Sequence, residues 1–435
     1  MCNWLAISIT TSAPDNVKPF PCLLFLLNLC LAAPALMAQD KDTSQYEAPF
    51  MEGELFADYF FNSSALTTEF VNTVYSGGYI TADIKDRVTG KLRYSNRFGA
   101  DLNYGAVFRC KPASFFGRND IYWSAGFRDR LHLDGVFSQD LYKVALYGNK
   151  QFAGQSADLG NTRFNLLRFQ QLQFGIVIQG DSAHGDYGFS FSLLKGEQNM
   201  ALDVDRAILS TSADGTEIDL DLAMNMRRSD TASTGPGAFN GYGASFDLFY
   251  EIPYVTWYNY GTMRLDIFDL GLIRWNNRSM YLKHDSLYHY DGIEINDLND
   301  LQNQTIPSGN ADSVVNANFH YSREPYTTFL PAVFSISATT YYGKKFIFEK
   351  GISYRFNANC RPYYYANFSW FIRPAVMVSA IAAYGGYGNF NAGAELEARI
   401  FKNYMIHIDS YYLLGYLMPK KFCGQGITIG LSGKF

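Results

Sequence analysis

Beyond its first 38 residues, the 435-residue chain has no apolar run that would cross a membrane as a helix. An uncharged stretch at 374–394 is long enough, but it contains four glycines and two asparagines. That composition predicts two strands joined by a loop. The mean hydropathy of −0.13 also argues against a helical membrane protein. A membrane chain without such helices must pair its backbone between closed strands.

Cysteine and net charge are also scarce. The chain has six cysteines, and three of them lie within the first 38 residues. The other three, Cys110, Cys360 and Cys423, are an odd number and do not form a disulfide framework. A net charge of −5 is too small to indicate nucleic-acid binding, so we expect no nucleic-acid partner.

Motifs that carry chemistry are missing too. The sequence has no Gly-x-Ser-x-Gly elbow, P-loop or paired Cys-x-x-Cys motif, and its six histidines are scattered. We therefore predict no catalytic residues, no metal, no cofactor and no enzyme activity. A lipid-modifying enzyme stays open as an alternative, because Ser190 and Ser192 fall on the polar side of a strand. It would need a Ser–His contact within about 3.2 Å.

The N-terminus has the pattern of an export signal. Lys18 precedes an apolar run from Phe20 to Ala38, which ends in small residues suited to cleavage before Gln39. We predict a signal peptide at residues 1–38. An uncleaved helical anchor is the alternative.

What the chain does contain is apolar–polar alternation. In the last nine residues, Ile427, Ile429, Leu431 and Phe435 fall on one side of an extended strand, and polar or small residues fall on the other. Similar segments of about ten residues, the length of a tilted membrane strand, recur along the chain. They lie near 98–109, 172–179, 242–252, 352–359 and 390–400.

Charged residues recur on the polar side of these segments, where a dry core would not tolerate them. We predict that they line a barrel lumen. The candidates are Asp101, Arg109, Asp247, Glu251, Arg355, Glu395, Glu397, Arg399, His407 and Asp409. A soluble sandwich with its charged faces in water is the alternative. The aromatic content of 17% favours the barrel, since outer-membrane barrels carry aromatic girdles at both interfaces.

The predicted fold class is all-β, a closed antiparallel transmembrane β-barrel of about 14 strands, within a range of 12–16. If the last strand ends at the periplasmic rim, counting strands back from it places the short turns on the periplasmic side of the membrane. The long loops, near 195–240 and 283–325, then lie on the outer side. The barrel is predicted to occupy 97–435. Residues 39–96 would form a lumen plug or rest at the periplasmic rim, and the two are not distinguished.

One group of lumen candidates is predicted from register alone. If a turn at 401–403 pairs Ile400 with Tyr404, then Glu397 lies opposite His407 and Glu395 opposite Asp409. Such a cluster would stiffen a polar interior or form a constriction that selects solutes.

Three stretches resemble a family of Bacteroidota outer-membrane barrels of unknown function. They are the Asp266–Asn276 segment, which is similar to a "DLGxIRW" motif, the Tyr326–Pro331 segment and the C-terminal strand. That family is similar to long-chain fatty-acid transporter barrels and to barrel components of type IX secretion. The Pro of an early Asn-Pro-Ala element is absent at Asn62-Ser63-Ser64-Ala65.

The resemblance implies a bacterial outer-membrane location and transport of small hydrophobic or amphiphilic molecules. The expected partners are outer-membrane lipid, the insertion machinery that reads the C-terminal strand, and a small hydrophobic ligand. The alternative is a scaffold or secretion-system accessory barrel that binds a protein partner.

Overall fold

The computed structural model describes residues 50–180, 185–256, 259–290 and 321–435. The predicted signal peptide lies outside these residues. In chain order the strands are β1 (Phe50–Ser63), β2 (Ser95–Lys111), β3 (Ile121–Ser138), β4 (Gln155–Asp158), β5 (Thr162–Ile178), β6 (Tyr187–Thr211), β7 (Ile218–Arg228), β8 (Gly241–Val255), β9 (Tyr260–Trp275), β10 (Met280–Tyr290), β11 (Ser322–Arg323), β12 (Thr327–Phe329), β13 (Val333–Tyr342), β14 (Phe346–Arg355), β15 (Tyr363–Arg373), β16 (Val376–Gly385), β17 (Phe390–Phe401), β18 (Tyr404–Ser410) and β19 (Gly424–Lys434).

Within the described residues, fourteen of these strands form one closed antiparallel barrel, as predicted. The ring runs β1-β2-β3-β5-β6-β8-β9-β13-β14-β15-β16-β17-β18-β19 and back to β1. The seam between β1 and β19 runs from Glu52 opposite Lys434 to Asn62 opposite Gly424. Closure leaves no sheet edge, so every wall strand has a hydrogen-bonded neighbour on both sides.

The predicted start of the barrel at residue 97 is wrong. Strand β1 lies inside the 39–96 segment, yet it is a full wall strand between β19 and β2. Its register with β2 extends from Phe50 opposite Lys111 to Ser63 opposite Phe98. Two of its inward positions, Phe56 and Phe60, are apolar and line the lumen, so the alternation that would have revealed the strand is weak.

The two sides of the wall differ as the alternation predicts. Large apolar side chains project outward and are exposed, as at Leu55, Leu102, Phe127, Leu172, Phe189, Leu248, Leu265, Phe368, Leu396 and Ile429. Polar and charged side chains project inward between them. This apolar exterior on a closed ring belongs to a bacterial outer-membrane barrel, because only lipid solvates such a band.

We call the rim where β1 begins and β19 ends the turn end, and the opposite rim the loop end. Short turns at 343–345, 374–375 and 402–403 join neighbouring strands at the turn end. Aromatic pairs between adjacent strands collect there. They are Phe108–Trp123, Tyr187–Tyr250, Tyr260–Tyr341, Phe346–Phe368, Phe401–Tyr404 and Tyr404–Phe435. Such a belt is typical of a membrane interface.

Helices gather at the loop end: α1 (Thr68–Tyr75), α2 (Ala82–Thr89), α3 (Gln139–Tyr147) and α4 (Leu413–Leu417). Side-chain oxygens of Thr67, Thr81 and Ser138 cap the first three by accepting backbone N–H bonds. An apolar cluster joins α1–α3 to the outward side of β2 and β3. Part of the segment predicted as plug or rim thus packs outside the wall. None of the helices in the described ranges has the length and apolarity to span a bilayer.

Much of the predicted loop at 195–240 is strand. The second half of β6 continues past its ring neighbours and pairs with β4 and β7, and β7 pairs with β10. The turn between β6 and β7 contains Asp214. Hydrogen bonds donated by Ser212 and Thr216 lower the pKa of this carboxyl to about 2, so it is negatively charged at neutral pH. Of the predicted loop at 283–325, β10 occupies the beginning and residues 291–320 lie outside the described residues.

Two neighbouring positions on β19 test the assignment of faces. Ile429 projects outward, whereas Thr428 lines a lumen cavity. Because a bilayer-facing arginine costs about 2–4 kcal/mol near the midplane, Ile429→Arg should lower the free energy of unfolding by an amount of that order. Thr428→Arg should change it by only about 0.5 kcal/mol. Urea titration in lipid vesicles measures both, and equal losses would contradict the assignment.

Candidate functional site in the barrel lumen

The half of the lumen nearest the turn end contains a cavity of about 430 Å³. It is lined mainly by charged and polar groups: Glu52, Glu54, Asp58, Asn103, Arg109, Arg128, Glu397, His407, Thr428 and Ser432. The predicted candidate Arg109 pairs with Glu52 at 3.2 Å and with Glu54 at 2.9 Å. Four carboxylates face two guanidinium groups here, so the chamber is acidic.

The predicted register on β17 and β18 is present: Glu397 lies opposite His407 and Glu395 opposite Asp409. His407 Nε2 lies 2.8 Å from Asp409, and its Nδ1 lies 3.5 Å from Glu395. At the turn, however, Phe401 pairs with Tyr404, because a bulge displaces residue 400 from the ladder.

The remaining candidate of this group, Arg399, lies opposite Met405 near the turn end and is exposed. One ligand atom each from Glu395, Glu397 and His407 lies within 4.8 Å of the others, a spacing that could hold a metal ion. His407 also pairs with Asp409 through its other ring nitrogen. The predicted absence of a metal stays a prediction.

Toward the middle of the barrel, two predicted candidates form an ion pair across the lumen. Arg355 on β14 binds both carboxylate oxygens of Asp101 on β2, at 3.1 and 2.5 Å. His132 on β3 also contacts Asp101, and its other ring nitrogen lies 2.9 Å from Asp134. All of these side chains are largely buried, with Arg355 4% exposed. The network therefore ties β14 to the neighbouring strands β2 and β3 on the other side of the wall.

A second ionic group lies beside it. Arg130 pairs with Asp269 at 2.6 Å, and the backbone N–H of Asp269 donates to Asp247 at 2.7 Å. Asp269 has a positive φ of 57° at an irregularity between β8 and β9, where an extra residue turns the carboxylate into the lumen. The predicted candidate Glu251 is separate from this group and pairs with Arg264 at 3.3 Å.

Beyond the ionic groups, apolar side chains fill one side of the lumen. We call this cluster the aromatic seal. It consists of Leu167, Phe169, Leu194, Ile273, Trp275, Tyr326 and Leu330, all buried. Trp275 stacks on Tyr326, and its indole N–H donates to Thr328 at 3.0 Å. Since β12 and β13 share one register along β9, residues 330–332 are a short break in a single wall strand.

Phe60 on β1 and Tyr387 in the turn after β16 contact Val333 on β13 and close the rest of the lumen from the opposite side. The cavity that adjoins Phe60 and Tyr387 has a volume of only about 20 Å³, roughly enough for one water molecule. A cavity of about 100 Å³ lies between this point and the 430 Å³ chamber and shares lining residues with both. The lumen thus narrows stepwise from the turn end and is closed by side chains near the loop end.

Sequence reasoning missed His132, Arg130 and Asp134, because β3 was not recognised as a strand. Arg128, Arg130, His132 and Asp134 alternate along its inward side. On the outward side, however, Asp129 interrupts the apolar residues. That single acidic residue hid the period-two signal.

Asp129 belongs to an ionic cluster on the outward side of the wall. Arg168 lies 3.2 Å from Asp129 and 2.9 Å from Glu197, and Lys195 lies 3.3 Å from Glu197. Glu197 is the extra residue at an irregularity between β5 and β6 and is fully buried beneath its neighbours. The carboxylates are fully paired, which is how a charged group persists on this surface.

The comparison with known families is decisive for membership. Residues 56–407 match the family of unknown function DUF5723. The chain belongs to this family. Membership in a family of unknown function is thus confirmed, whereas a Bacteroidota source and a link with type IX secretion stay predictions. No curated protein matches the chain.

Several solved structures resemble this DUF5723 protein. A deletion mutant of the monoaromatic hydrocarbon channel TodX has 7% identity, a TM-score of 0.44 and coverage of 89% of this chain and 91% of that one. A FadL homologue of Pseudomonas aeruginosa has 9% identity, a TM-score of 0.37 and coverage of 89% and 90%. The NalP translocator domain of Neisseria meningitidis has 8%, 0.36 and 90% of both chains. These likenesses extend no further than barrel architecture.

The outward ionic cluster gives a stability prediction. Glu197→Gln should lower the free energy of unfolding by about 3 kcal/mol, because it removes the buried carboxylate that pairs with the half-buried Arg168 and Lys195. The matched control is Asp203→Asn, which breaks an exposed pair with Arg163 and should cost less than about 1 kcal/mol. Urea titration in vesicles measures both losses. Similar values for the two variants would show that the cluster is not buried in the membrane-embedded protein.

Proposed function

We propose that this protein moves small hydrophobic or amphiphilic molecules across the outer membrane. The observation that carries the proposal is the stepwise row of lumen cavities, closed at one level by side chains. A closure made by side chains opens through rotamer changes, which are fast and need no unfolding of the wall.

The composition of the closure supports an amphiphile as the substrate. One side is the aromatic seal, and on the other side Arg355, which is paired with Asp101, lies beside Phe60 and Tyr387. A molecule with an apolar body and a polar end would find a matching surface for each part. A purely hydrophilic solute would have to replace the contacts of Trp275 and Phe169 without compensation.

Removing a large side chain from the aromatic seal tests transport. Trp275→Ala should increase the flux of octanoate into proteoliposomes and allow leakage of arabinose, because the largest buried side chain of the lumen is removed. Trp370→Ala is the matched control, since Trp370 projects outward and is 45% exposed. Stopped-flow uptake and liposome swelling measure the two solutes. The wild-type protein should admit octanoate but not arabinose.

A second lumen variant provides a test that does not depend on the folding of Trp275→Ala. Tyr387→Ala opens the opposite side of the closure, and exposed Tyr384→Ala is its control. The shift of the folded barrel on unheated gels checks that each variant is assembled. If assembled wild-type protein and both lumen variants pass neither solute, the transport proposal fails.

A partner-binding barrel is the second candidate. The sheet formed by β6, β7 and β10 extends beyond the ring and carries exposed Leu287 and Tyr290. Exposed apolar residues on such an extension suit a protein partner. Absence of flux, combined with specific recovery of one protein by the wild-type barrel but not by Leu287→Asp, would favour this function.

A further inference from the structure

The loop end carries a cleft of about 460 Å³ that is separate from the closed lumen. Four chain segments form it: the end of β1, the connection from α2 to β2, the turn between β16 and β17, and the approach to β19. We call it the loop-end cleft. Its lining includes Asn62, Lys91, Arg93, Asn391, Lys421 and Cys423.

The charge of the loop-end cleft has one sign. Lys91, Arg93 and Lys421 line it, and no carboxylate is among the described residues that do so. Over the described ranges, none of these three cations forms an ion pair with another residue. Burial raises the pKa of the Cys423 thiol to about 11, against the opposing charge of Lys91, so the thiol is neutral at pH 7.

The floor of the loop-end cleft is polar and incompletely bonded. Asn62 is 1% exposed, and its side-chain oxygen has no hydrogen-bond partner. A Cβ atom at Gly388 would lie 2.1 Å from that oxygen, so glycine there leaves the amide its space. Asn391 is 3% exposed and lies beside Asn62 across Gly424. A buried polar atom without a partner costs free energy unless a bound molecule satisfies it.

The wall behind the cleft is also cationic. Arg361 donates to the Gly388 carbonyl at 2.7 Å and to the Asn389 side chain at 3.2 Å. Asn389 in turn donates to the Ser64 carbonyl at 3.2 Å. These bonds fix the turn between β16 and β17, and with it the position of the amide groups on the cleft floor.

We propose that the loop-end cleft binds an acidic sugar, a hexose that carries a phosphate or carboxylate group. The three cations pair with the acidic group, and the amides of Asn62 and Asn391 exchange hydrogen bonds with ring hydroxyls. The volume is in the range of small-molecule sites. Binding here goes beyond transport, because it does not require the lumen to open. The sugar is either a free solute or the head group of an outer-leaflet glycolipid.

Isothermal titration of the purified barrel in detergent tests the site, with glucose 6-phosphate as the probe. We expect saturable binding that weakens with added salt, and weaker binding of glucose and of inorganic phosphate. Each of Lys91→Ala, Arg93→Ala and Lys421→Ala should weaken binding about tenfold, the usual effect of one charge-assisted hydrogen bond. The triple variant should not bind.

The matched control is Lys344→Ala, Lys345→Ala and Lys402→Ala together, which removes the same charge from exposed positions at the turn end. This control should bind as the wild type does. Lipid A micelles form the second arm. Binding of lipid A alone, lost in the cleft triple variant, would identify a glycolipid head group as the source. If neither probe depends on the three cleft cations, the proposal is overturned, whatever the flux assays show.

Discussion

The hydrogen-bonded seam between β1 and β19 is the constraint on which the structure depends. A strand in hydrocarbon has no water to satisfy its backbone, so an open edge would leave several unpaired N–H and C=O groups in lipid. Pairing from Glu52 opposite Lys434 to Asn62 opposite Gly424 removes that edge. Once the ring is closed, each residue must face either lipid or lumen, and the alternation of the wall strands follows.

Closure of the ring also confines the inward charged side chains to the lumen. Charged side chains that avoid lipid must share a narrow lumen, where each needs a partner. The chain meets this need with pairs that cross the barrel, such as Asp101 with Arg355 and Arg130 with Asp269. These pairs and the aromatic seal occupy the middle and loop-end parts of the lumen, while the turn-end part stays open. Two of the stretches that resemble the family contribute directly: Asp269, Ile273 and Trp275 come from one, and Tyr326 and Leu330 from the other.

The two ends of the barrel differ in charge. The turn-end chamber is acidic, whereas the loop-end cleft carries lysine and arginine without carboxylates. The closure between them combines apolar and ionic halves. The acidic chamber, the closure and the separate basic cleft are each built by segments that are far apart in the sequence.

The sequence by itself determined the fold class, the strand count and the local register of β17 and β18, because alternation and a tight turn are properties of neighbouring residues. It did not determine where the barrel begins, since the apolar inward residues Phe56 and Phe60 obscured the alternation of β1, or that β3 is a strand, since Asp129 interrupted its apolar side. Only the tertiary structure decided which inward charges meet. Arg355 and Asp101 are 254 residues apart, and their contact depends on the closed ring and on its stagger. The loop-end cleft likewise depends on four segments that converge only when the first and last strands pair.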